Sequence, residues 1–146
     1  MKKLRFLIIA DDSPCSIKAI RYGYVLAHRV KAKVALLGVI DSSLTKGSVD
    51  AGIFPKEAIL LQKNTTREFL GKMASDYSNG TETEIFTPVG GIKETVLNMA
   101  KEWEADLIIS GTHQRKGLNR LLIGSVTESI LRDSKVPTLV VPPERP

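Results

Sequence analysis

The sequence predicts an α/β domain built on a doubly wound, five-stranded parallel sheet with helices on both faces. Apolar runs, such as residues 6–10 and 34–40, are typical of strands that are buried on both sides. These runs alternate with segments of helical periodicity, which indicates parallel strands joined by helices. The 146 residues contain no internal repeat and no low-complexity linker, so we expect a single domain over residues 1–146.

Nine elements are predicted, and each is bounded by polar, glycine or proline residues. In chain order they are a strand Phe6–Ala10, a helix from Pro14 to about Ala27, a strand Val34–Ile40, a helix from Pro55 to about Tyr77, a strand Glu84–Val89, a helix over 92–103, a strand Asp106–Ser110, a helix Val126–Asp133 and a strand Val136–Val141.

Three local features refine these predictions. Ser13 is expected to cap the first helix, with Pro14 at its first position. Residues 42–54 are polar and lack a clear period, which favours a long surface loop that acts as a lid or a partner surface. Pro88 interrupts the third strand and therefore predicts a weak strand near a sheet edge.

Composition narrows the class of ligand and the compartment. The net charge of +5 arises from 21 Lys and Arg against 16 Asp and Glu, which favours anionic ligands. The basic residues are scattered and few aromatics lie among them, so nucleic acid is not the expected partner. Cys15 is the single cysteine, which excludes an internal disulfide. The apolar run Phe6–Ala10 is too short for a signal core or a membrane span, so we expect a cytoplasmic protein.

The stretch from Ser110 to Thr127 carries most of the functional information. A strand ends in Ser110-Gly111, a basic loop follows, and Gly124-Ser125 begins a helix. Backbone N–H groups and the positive end of a helix dipole converge in such a turn, which is typical of a phosphate site. In doubly wound sheets, ligands bind beyond the carboxyl ends of the strands where the strand order reverses. We therefore expect Ala10-Asp11 and Val39 on the same rim as Ser110-Gly111.

Two common nucleotide folds and one signalling fold are disfavoured. The first turn, Asp11-Asp12-Ser13-Pro14, has no glycine, whereas a dinucleotide fingerprint needs G-x-G-x-x-G at that position. No P-loop motif occurs in the chain. Paired aspartates after the first strand also occur in receiver domains. A receiver domain also needs a phosphoacceptor Asp at the end of a middle strand and a Lys at the end of a late strand. The candidates for these positions are Asp41 and Lys135, but Lys135 precedes its strand instead of following it.

Four segments distributed over nearly the whole chain resemble the universal stress protein family: Ile8–Ser13, Leu36–Asp41, Ala105–Gly111 and Val136–Pro142. The resemblance implies a Rossmann-like fold of the adenine-nucleotide alpha-hydrolase type. ATP-binding members carry G-x-x-G, nine residues and then G-[ST]. Gly111, the nine residues 115–123 and Gly124-Ser125 match that pattern, whereas Gln114 replaces the second glycine. Glutamine adds a side chain where a glycine lets the backbone approach phosphate, so Gln114 either donates to an oxygen or fills the phosphate space.

The resemblance implies that the cofactor is ATP, with Mg²⁺ held mainly by phosphate oxygens. The nucleotide-binding residues that it implies are Ile9, Ala10, Asp11, Val39, Ser110, Gly111, His113, Gly124, Ser125, Val126 and Thr127. Four of these residues also have a purely structural interpretation. Asp11, Ser125 and Thr127 are common at helix starts, and His113 lies in a polar loop. Arg115, Lys116 and Arg120 add charge to the phosphates or form a solvated basic face.

By resemblance, the chain is an ATP-binding homodimer that regulates a stress response through a protein partner of unknown identity. The strand Val136–Val141 is expected at a sheet edge, where it pairs with its two-fold mate. An open apolar edge is an independent reason to expect such pairing. The alternative is the same fold with a site that Gln114 closes, acting as a protein-interaction module. No general base stands out in the sequence, so at most slow ATP hydrolysis is expected.

Overall fold

The computed structural model describes residues 2–42, 55–112 and 124–144. Apart from Ser42, the predicted lid segment 42–54 lies outside the described residues. The elements of the described part are β1 (Arg5–Ile9), α1 (Pro14–Val30), β2 (Lys33–Leu37), β3 (Ile40–Asp41), α2 (Pro55–Tyr77), β4 (Thr83–Phe86), β5 (Val89–Gly90), α3 (Ile92–Glu102), β6 (Leu107–Gly111), α4 (Ser125–Asp133) and β7 (Thr138–Val141).

Five of the strands form one parallel sheet in the order β4-β2-β1-β6-β7. The chain winds outward from β1 through β2 to β4, returns to β6 on the other side of β1, and ends at β7. This order confirms the predicted doubly wound, five-stranded parallel sheet. Both outer strands were predicted at an edge: β4 because Pro88 interrupts its segment, and β7 from the family resemblance.

The two faces of the sheet bury separate cores, because successive residues of a strand point to opposite sides. On β1, Phe6 and Ile8 face α1 and α2, whereas Leu7 faces α3 and α4. The three central strands are buried throughout their middles, as their continuous apolar runs predict. Trp103 is buried on the α3 side and Met99 packs against that core, so both serve helix–sheet packing as expected.

The second and third predicted strands each divide into two. Instead of one strand Val34–Ile40, β2 ends at Leu37 and β3 forms a separate pair with β5. The predicted strand Glu84–Val89 divides at Thr87-Pro88 in the same way. Pro88 has no N–H for a ladder hydrogen bond, but its carbonyl accepts one from Ile40 N at 2.8 Å. The two neighbouring chains thus leave the main sheet together and continue as a small parallel ribbon.

The ends of two elements show how local side chains define them. Ser13 caps α1, its hydroxyl accepts from Ser16 N at 3.2 Å, and Pro14 occupies the first turn, as predicted. The last strand begins at Thr138 and not at Val136. Before it, the Ser134 hydroxyl accepts from Val136 N and donates to the carbonyl oxygen of Val136, both at 2.9 Å. These bonds hold the preceding residues in a turn.

Helix α2 runs from Pro55 to Tyr77 as predicted, despite the weak helix formers in its middle. Leu70 and Met73 anchor its C-terminal half in the core, which compensates for the low propensity. Leu60 and Leu61 in the N-terminal half are exposed. Within the three described ranges, no helix combines the length and the apolar character needed to cross a bilayer.

Two glycines inside helices give a matched test of this packing. A Cβ on Gly71 would meet no heavy atom within 4 Å, whereas one on Gly23 would lie 2.5 Å from Ile8 Cδ1 in the buried core. Alanine improves helix propensity at both positions by about 0.5–1 kcal/mol. We expect Gly71→Ala to raise the free energy of unfolding by that amount and Gly23→Ala to lower it, because overpacking costs about 1–3 kcal/mol. Urea denaturation measures both, and equal stabilisation would contradict the packing.

Candidate functional site

The strand order reverses between β1 and β6, which lie side by side in parallel register. The carboxyl ends of these two strands therefore form the crevice in which doubly wound sheets bind ligands. Residues 10–13 follow β1 at this edge. Residues 110 and 111 are the last of β6, and residue 112 follows it. We call this edge, together with the nearby ends of β2 and α4, the rim. The sequence prediction that Ala10-Asp11, Val39 and Ser110-Gly111 share one rim is confirmed, since Asp11 lines one space with Ser110 and Gly111 and another with Ala10 and Val39.

The turn after β1 is held by hydrogen bonds among its own residues. Asp11 Oδ1 accepts from Ser13 N at 2.8 Å, which forms an Asx turn just before the helix. The Ser16 hydroxyl accepts from Asp11 N at 2.7 Å. Ser13 provides the helix cap, so the carboxylate of Asp11 is not needed for that purpose. The carboxylate is instead oriented at the rim, in an exposed residue.

Alternate residues of β6 contact the helices on the two faces of the sheet. Gly111 faces α1, and a Cβ on it would lie 2.6 Å from the carbonyl oxygen of Cys15. Ser110 faces α4, where its hydroxyl lies 3.3 Å from Thr127 Oγ1. Thr127 Oγ1 also donates to the carbonyl oxygen of Gly111 at 3.4 Å. Gly111 thus lets the first turn of α1 approach β6, while the two hydroxyls hold the first turn of α4 beside it.

A narrow cleft lies between the ends of β1 and β6 and the first turn of α1. It is lined by Ile9, Asp11, Ser13, Cys15, Ser16, Ser110, Gly111 and Thr112, and four of these residues carry hydroxyl groups. Thr112 is 4% exposed, and its buried hydroxyl has no hydrogen-bond partner within the described part of the chain. A buried hydroxyl without a partner is costly, so the Thr112 side chain is suited to a polar group that enters the cleft.

A wider cavity of about 240 Å³ adjoins the cleft on the side of β2. We call it the lateral cavity. Ala10, Val39 and Phe69 provide apolar walls, and polar groups lie around them. The described residues that line it are Ala10, Asp11, Asp12, Gly38, Val39, Gln62, Thr65, Thr66 and Phe69. Asp11 lines both the cleft and the lateral cavity, so a ligand that spans them passes this carboxylate. Apolar walls with polar groups around them are typical of a site for a heteroaromatic ring.

The structure brings most of the predicted site residues to this rim. Ile9, Ala10, Asp11, Val39, Ser110 and Gly111 line the cleft or the lateral cavity. Gly124, Ser125, Val126 and Thr127 form the N-terminus of α4, which the contacts of Thr127 place beside β6. His113, Gln114, Arg115, Lys116 and Arg120 lie outside the described residues.

The four predicted site residues at the start of α4, Gly124 to Thr127, differ in which of their groups are exposed. Gly124 is the N-cap and has no side chain with which to cap the helix, so the N-cap residue itself makes no side-chain hydrogen bond to the first turn. Ser125 is exposed, whereas Val126 packs into the core on the α3 side. Thr127 is 2% exposed and its hydroxyl contacts β6. The side chains of Val126 and Thr127 thus make structural contacts, whereas that of Ser125 is exposed.

Sequence reasoning missed the contribution of α2. Gln62, Thr65, Thr66 and Phe69 line the lateral cavity from this helix. The available signal is the run Asn64-Thr65-Thr66, which interrupts the apolar stripe of α2 and is poor helix material. Thr112, Ser16 and Cys15 were missed in the same way, because polar residues next to a strand end or a helix start are common for structural reasons.

Three side chains of the described ranges have displaced pKa values, and all three lie away from the rim. Burial raises the pKa of Tyr24, and its hydrogen bond with Thr83 opposes part of that rise. The hydrogen bond from Lys93 lowers the pKa of Asp133, and that from Lys2 lowers the pKa of Glu104. These shifts accompany structural contacts and assign no acid or base to the rim. Among the described residues, no three His, Cys, Asp or Glu side chains are grouped to hold a metal ion.

Fold and rim together define a doubly wound α/β domain with a polar site at its topological switch point. A model of the universal stress protein family matches residues 4–142. The chain is 29% identical over 139 residues to the universal stress protein MJ0531 of Methanocaldococcus jannaschii, covering 94% of this chain and 81% of that protein. It is 35% identical over 113 residues to universal stress protein A homolog 2 of Coxiella burnetii, covering 75% and 74%. The chain belongs to the universal stress protein family.

Solved structures share the fold over almost the full length of the chain. The protein MJ0577 superposes with a TM-score of 0.84 at 24% identity, covering 100% of both chains. A universal stress protein in complex with cAMP gives 0.64 at 22% identity, covering 99% and 100%. The universal stress protein from Archaeoglobus fulgidus in complex with dAMP gives 0.67 at 18% identity, covering 97% and 99%. These likenesses establish the common fold.

The close approach of Gly111 to α1 gives a direct test of the rim. In Gly111→Ala the new methyl group would meet backbone atoms of Cys15 and Ser16, which cannot rotate away as a side chain can. We expect the free energy of unfolding to fall by about 1–3 kcal/mol. Urea denaturation measures it, with Gly71→Ala as the control alanine in open space. An unchanged midpoint for Gly111→Ala would show that α1 does not approach β6 in this way.

Proposed function

We propose that this chain binds an adenine nucleotide at the rim, with ATP as the leading candidate, and that the bound nucleotide tunes a protein interaction in a stress response. The observation that carries the proposal is the coincidence of three features at one place. The strand order reverses there, the buried hydroxyl of Thr112 has no described partner, and α4 begins beside Gly111. Each feature by itself is common, but together they favour a polar, phosphorylated ligand.

The shapes of the two spaces suggest how such a ligand would lie. The lateral cavity has apolar walls suited to the adenine ring, and Asp11 stands between it and the cleft, where a ribose hydroxyl can donate to the carboxylate. The phosphates would then extend toward Gly124 and the N–H groups of the first turn of α4. Relatives of the same fold in complex with cAMP and with dAMP support an adenine nucleotide as the ligand class. Mg²⁺ would be held mainly by phosphate oxygens.

Thermal unfolding with Mg-ATP, ADP and AMP tests the proposal, because a ligand of the folded state alone must stabilise it. At a ligand concentration of 100 Kd the stabilisation is about 2.7 kcal/mol, which raises the Tm by several degrees. Asp11→Asn keeps an oxygen that can accept from Ser13 N but removes the charge. We expect this variant to bind about tenfold more weakly, as for a lost hydrogen bond to a charged group. Asp76→Asn, an exposed aspartate on α2, is the matched control and should bind as the wild type does.

The replacement of the motif glycine by Gln114 separates the two functional hypotheses. A saturable shift in the wild type that weakens in Ser125→Ala, but not in the α2 control Ser75→Ala, supports nucleotide binding with the glutamine tolerated. A shift only in Gln114→Gly favours the alternative, a protein-interaction module whose site the glutamine closes. If neither the wild type nor Gln114→Gly shows a shift with any of the three nucleotides at millimolar concentration, nucleotide binding at the rim is refuted.

We further propose that two copies pair through β7, the edge strand that lies beside β6. An unpaired edge exposes a row of N–H and C=O groups, and Leu139 on this strand is 37% exposed. The arrangement would extend the sheet across a two-fold axis and cover this apolar edge.

Charge placed on the edge should prevent this pairing. We expect Leu139→Lys to convert the dimer into a monomer in sedimentation velocity, since like charges would meet across the axis. Leu61→Lys on α2 starts from a side chain that is 62% exposed and should leave the mass unchanged. A monomeric wild type, or a dimer that tolerates Leu139→Lys, would rule out pairing through β7.

A further inference from the structure

A second cavity, separate from the rim, lies along the outer face of α1. We call it the α1 cavity; its volume is about 520 Å³. This value falls within the range of about 300–1,000 Å³ that is usual for small-molecule sites. The lining consists of Lys18, Arg21, Tyr22, Val25, Tyr77 and Glu144. None of these residues lines the narrow cleft or the lateral cavity, so the α1 cavity is a distinct space.

The cationic part of the α1 cavity already holds a carboxylate, which comes from the chain itself. Arg21 donates to Glu144 Oε1 at 3.0 Å, and Lys18 Nζ lies 3.9 Å from Glu144 Oε2. Lys18 Nζ also donates to the carbonyl oxygen of Pro143 at 3.2 Å. The side chain of Lys18 is only 12% exposed, whereas that of Glu144 is 70% exposed. A largely buried cation is thus neutralised by a carboxylate that remains mostly in water.

The remaining walls of the α1 cavity are aromatic and apolar. Tyr22 and Val25 follow Lys18 and Arg21 at helical spacing on α1, and they are 58% and 56% exposed. Lys18 Nζ lies 5.8 Å from the centroid of the Tyr22 ring, so cation and ring are adjacent. Tyr77 contributes a second ring from the end of α2. Two tyrosines and a valine therefore leave an apolar surface open directly beside two cations.

We propose that the α1 cavity is a binding site for a small organic anion with an aromatic body, such as an aromatic carboxylate or sulfonate. Its acidic group replaces the carboxylate of Glu144 on Arg21 and Lys18, and its ring covers Tyr22, Val25 and Tyr77. The pair of Arg21 with Glu144 is exposed and contributes little to stability, and the incoming acid neutralises the largely buried Lys18 in its place, so Glu144 yields its position at small cost. Lysine and arginine have further N–H donors beyond those already used, so both cations can bind the incoming group.

The dye 1-anilinonaphthalene-8-sulfonate tests this site, because it joins an aromatic body to a sulfonate and fluoresces in apolar surroundings. We expect saturable binding of one dye per chain. Arg21→Gln should weaken it by about tenfold or more, the loss expected for a hydrogen bond to a charged group. Glu144→Gln should strengthen it by up to about fivefold, because the competing carboxylate is gone. Tyr22→Ala, at an exposed side chain, should weaken it without disturbing the ion pair.

Two controls separate this site from general dye adsorption. Arg29→Gln removes an exposed cation from the same helix outside the cavity and should leave dye affinity unchanged. N-phenyl-1-naphthylamine has the same rings without the sulfonate and should bind with no dependence on Arg21. Equal losses in Arg29→Gln and Arg21→Gln, or equal affinity for the two dyes, would overturn the proposal. So would the absence of saturable binding in both the wild type and Glu144→Gln. Saturating Mg-ATP should leave dye binding in place, since the two sites share no residue.

Discussion

The contact between Gly111 and the first turn of α1 is the constraint on which the rim depends. A Cβ at this position would lie within 3 Å of the carbonyl carbon and oxygen of Cys15, so the helix start can lie against β6 only because residue 111 has no side chain. From that position, Ser16 reaches back to the N–H of Asp11 and orients the turn after β1. The position of the Asp11 carboxylate is thus a consequence of a contact with the neighbouring strand.

The other face of β6 holds α4 by polar contacts. Ser110 and Thr127 are both nearly fully buried, and their hydroxyls lie 3.3 Å apart. Buried hydroxyls are stable where they find partners, so this pair favours one position of the first turn of α4. Thr112 differs from this pair, because its buried hydroxyl is unpaired within the described ranges, as is that of Thr81 away from the rim. The same short segment therefore contains both the contacts that organise the rim and an atom suited to a ligand.

Helix α1 contributes to two different spaces. Its first turn lines the narrow cleft through Cys15 and Ser16, and the next two turns line the α1 cavity from Lys18 to Val25. The two spaces also differ in chemistry. The cleft is lined by hydroxyls and by the backbone near Gly111, whereas the α1 cavity joins two cations to tyrosine rings. Helix α1 thus presents two kinds of surface, and its buried face, which includes Ile20 and Tyr24, packs against the sheet and keeps both in place.

The sequence by itself determined the class of fold, the order of the elements and most of the rim, because continuous apolar runs, the Ser13-Pro14 helix start and the Gly111 to Gly124 spacing are local signals. Only the tertiary structure decided that the predicted strands over 34–40 and 84–89 each divide and form a second small sheet. This division depends on the pairing of the two chains beyond the main sheet, where Ile40 N donates to the carbonyl oxygen of Pro88. Only the tertiary structure brought Gln62, Thr65 and Thr66 to the lateral cavity and Glu144 to Lys18. Those contacts join residues far apart in the chain, and no local periodicity encodes which exposed face meets which partner.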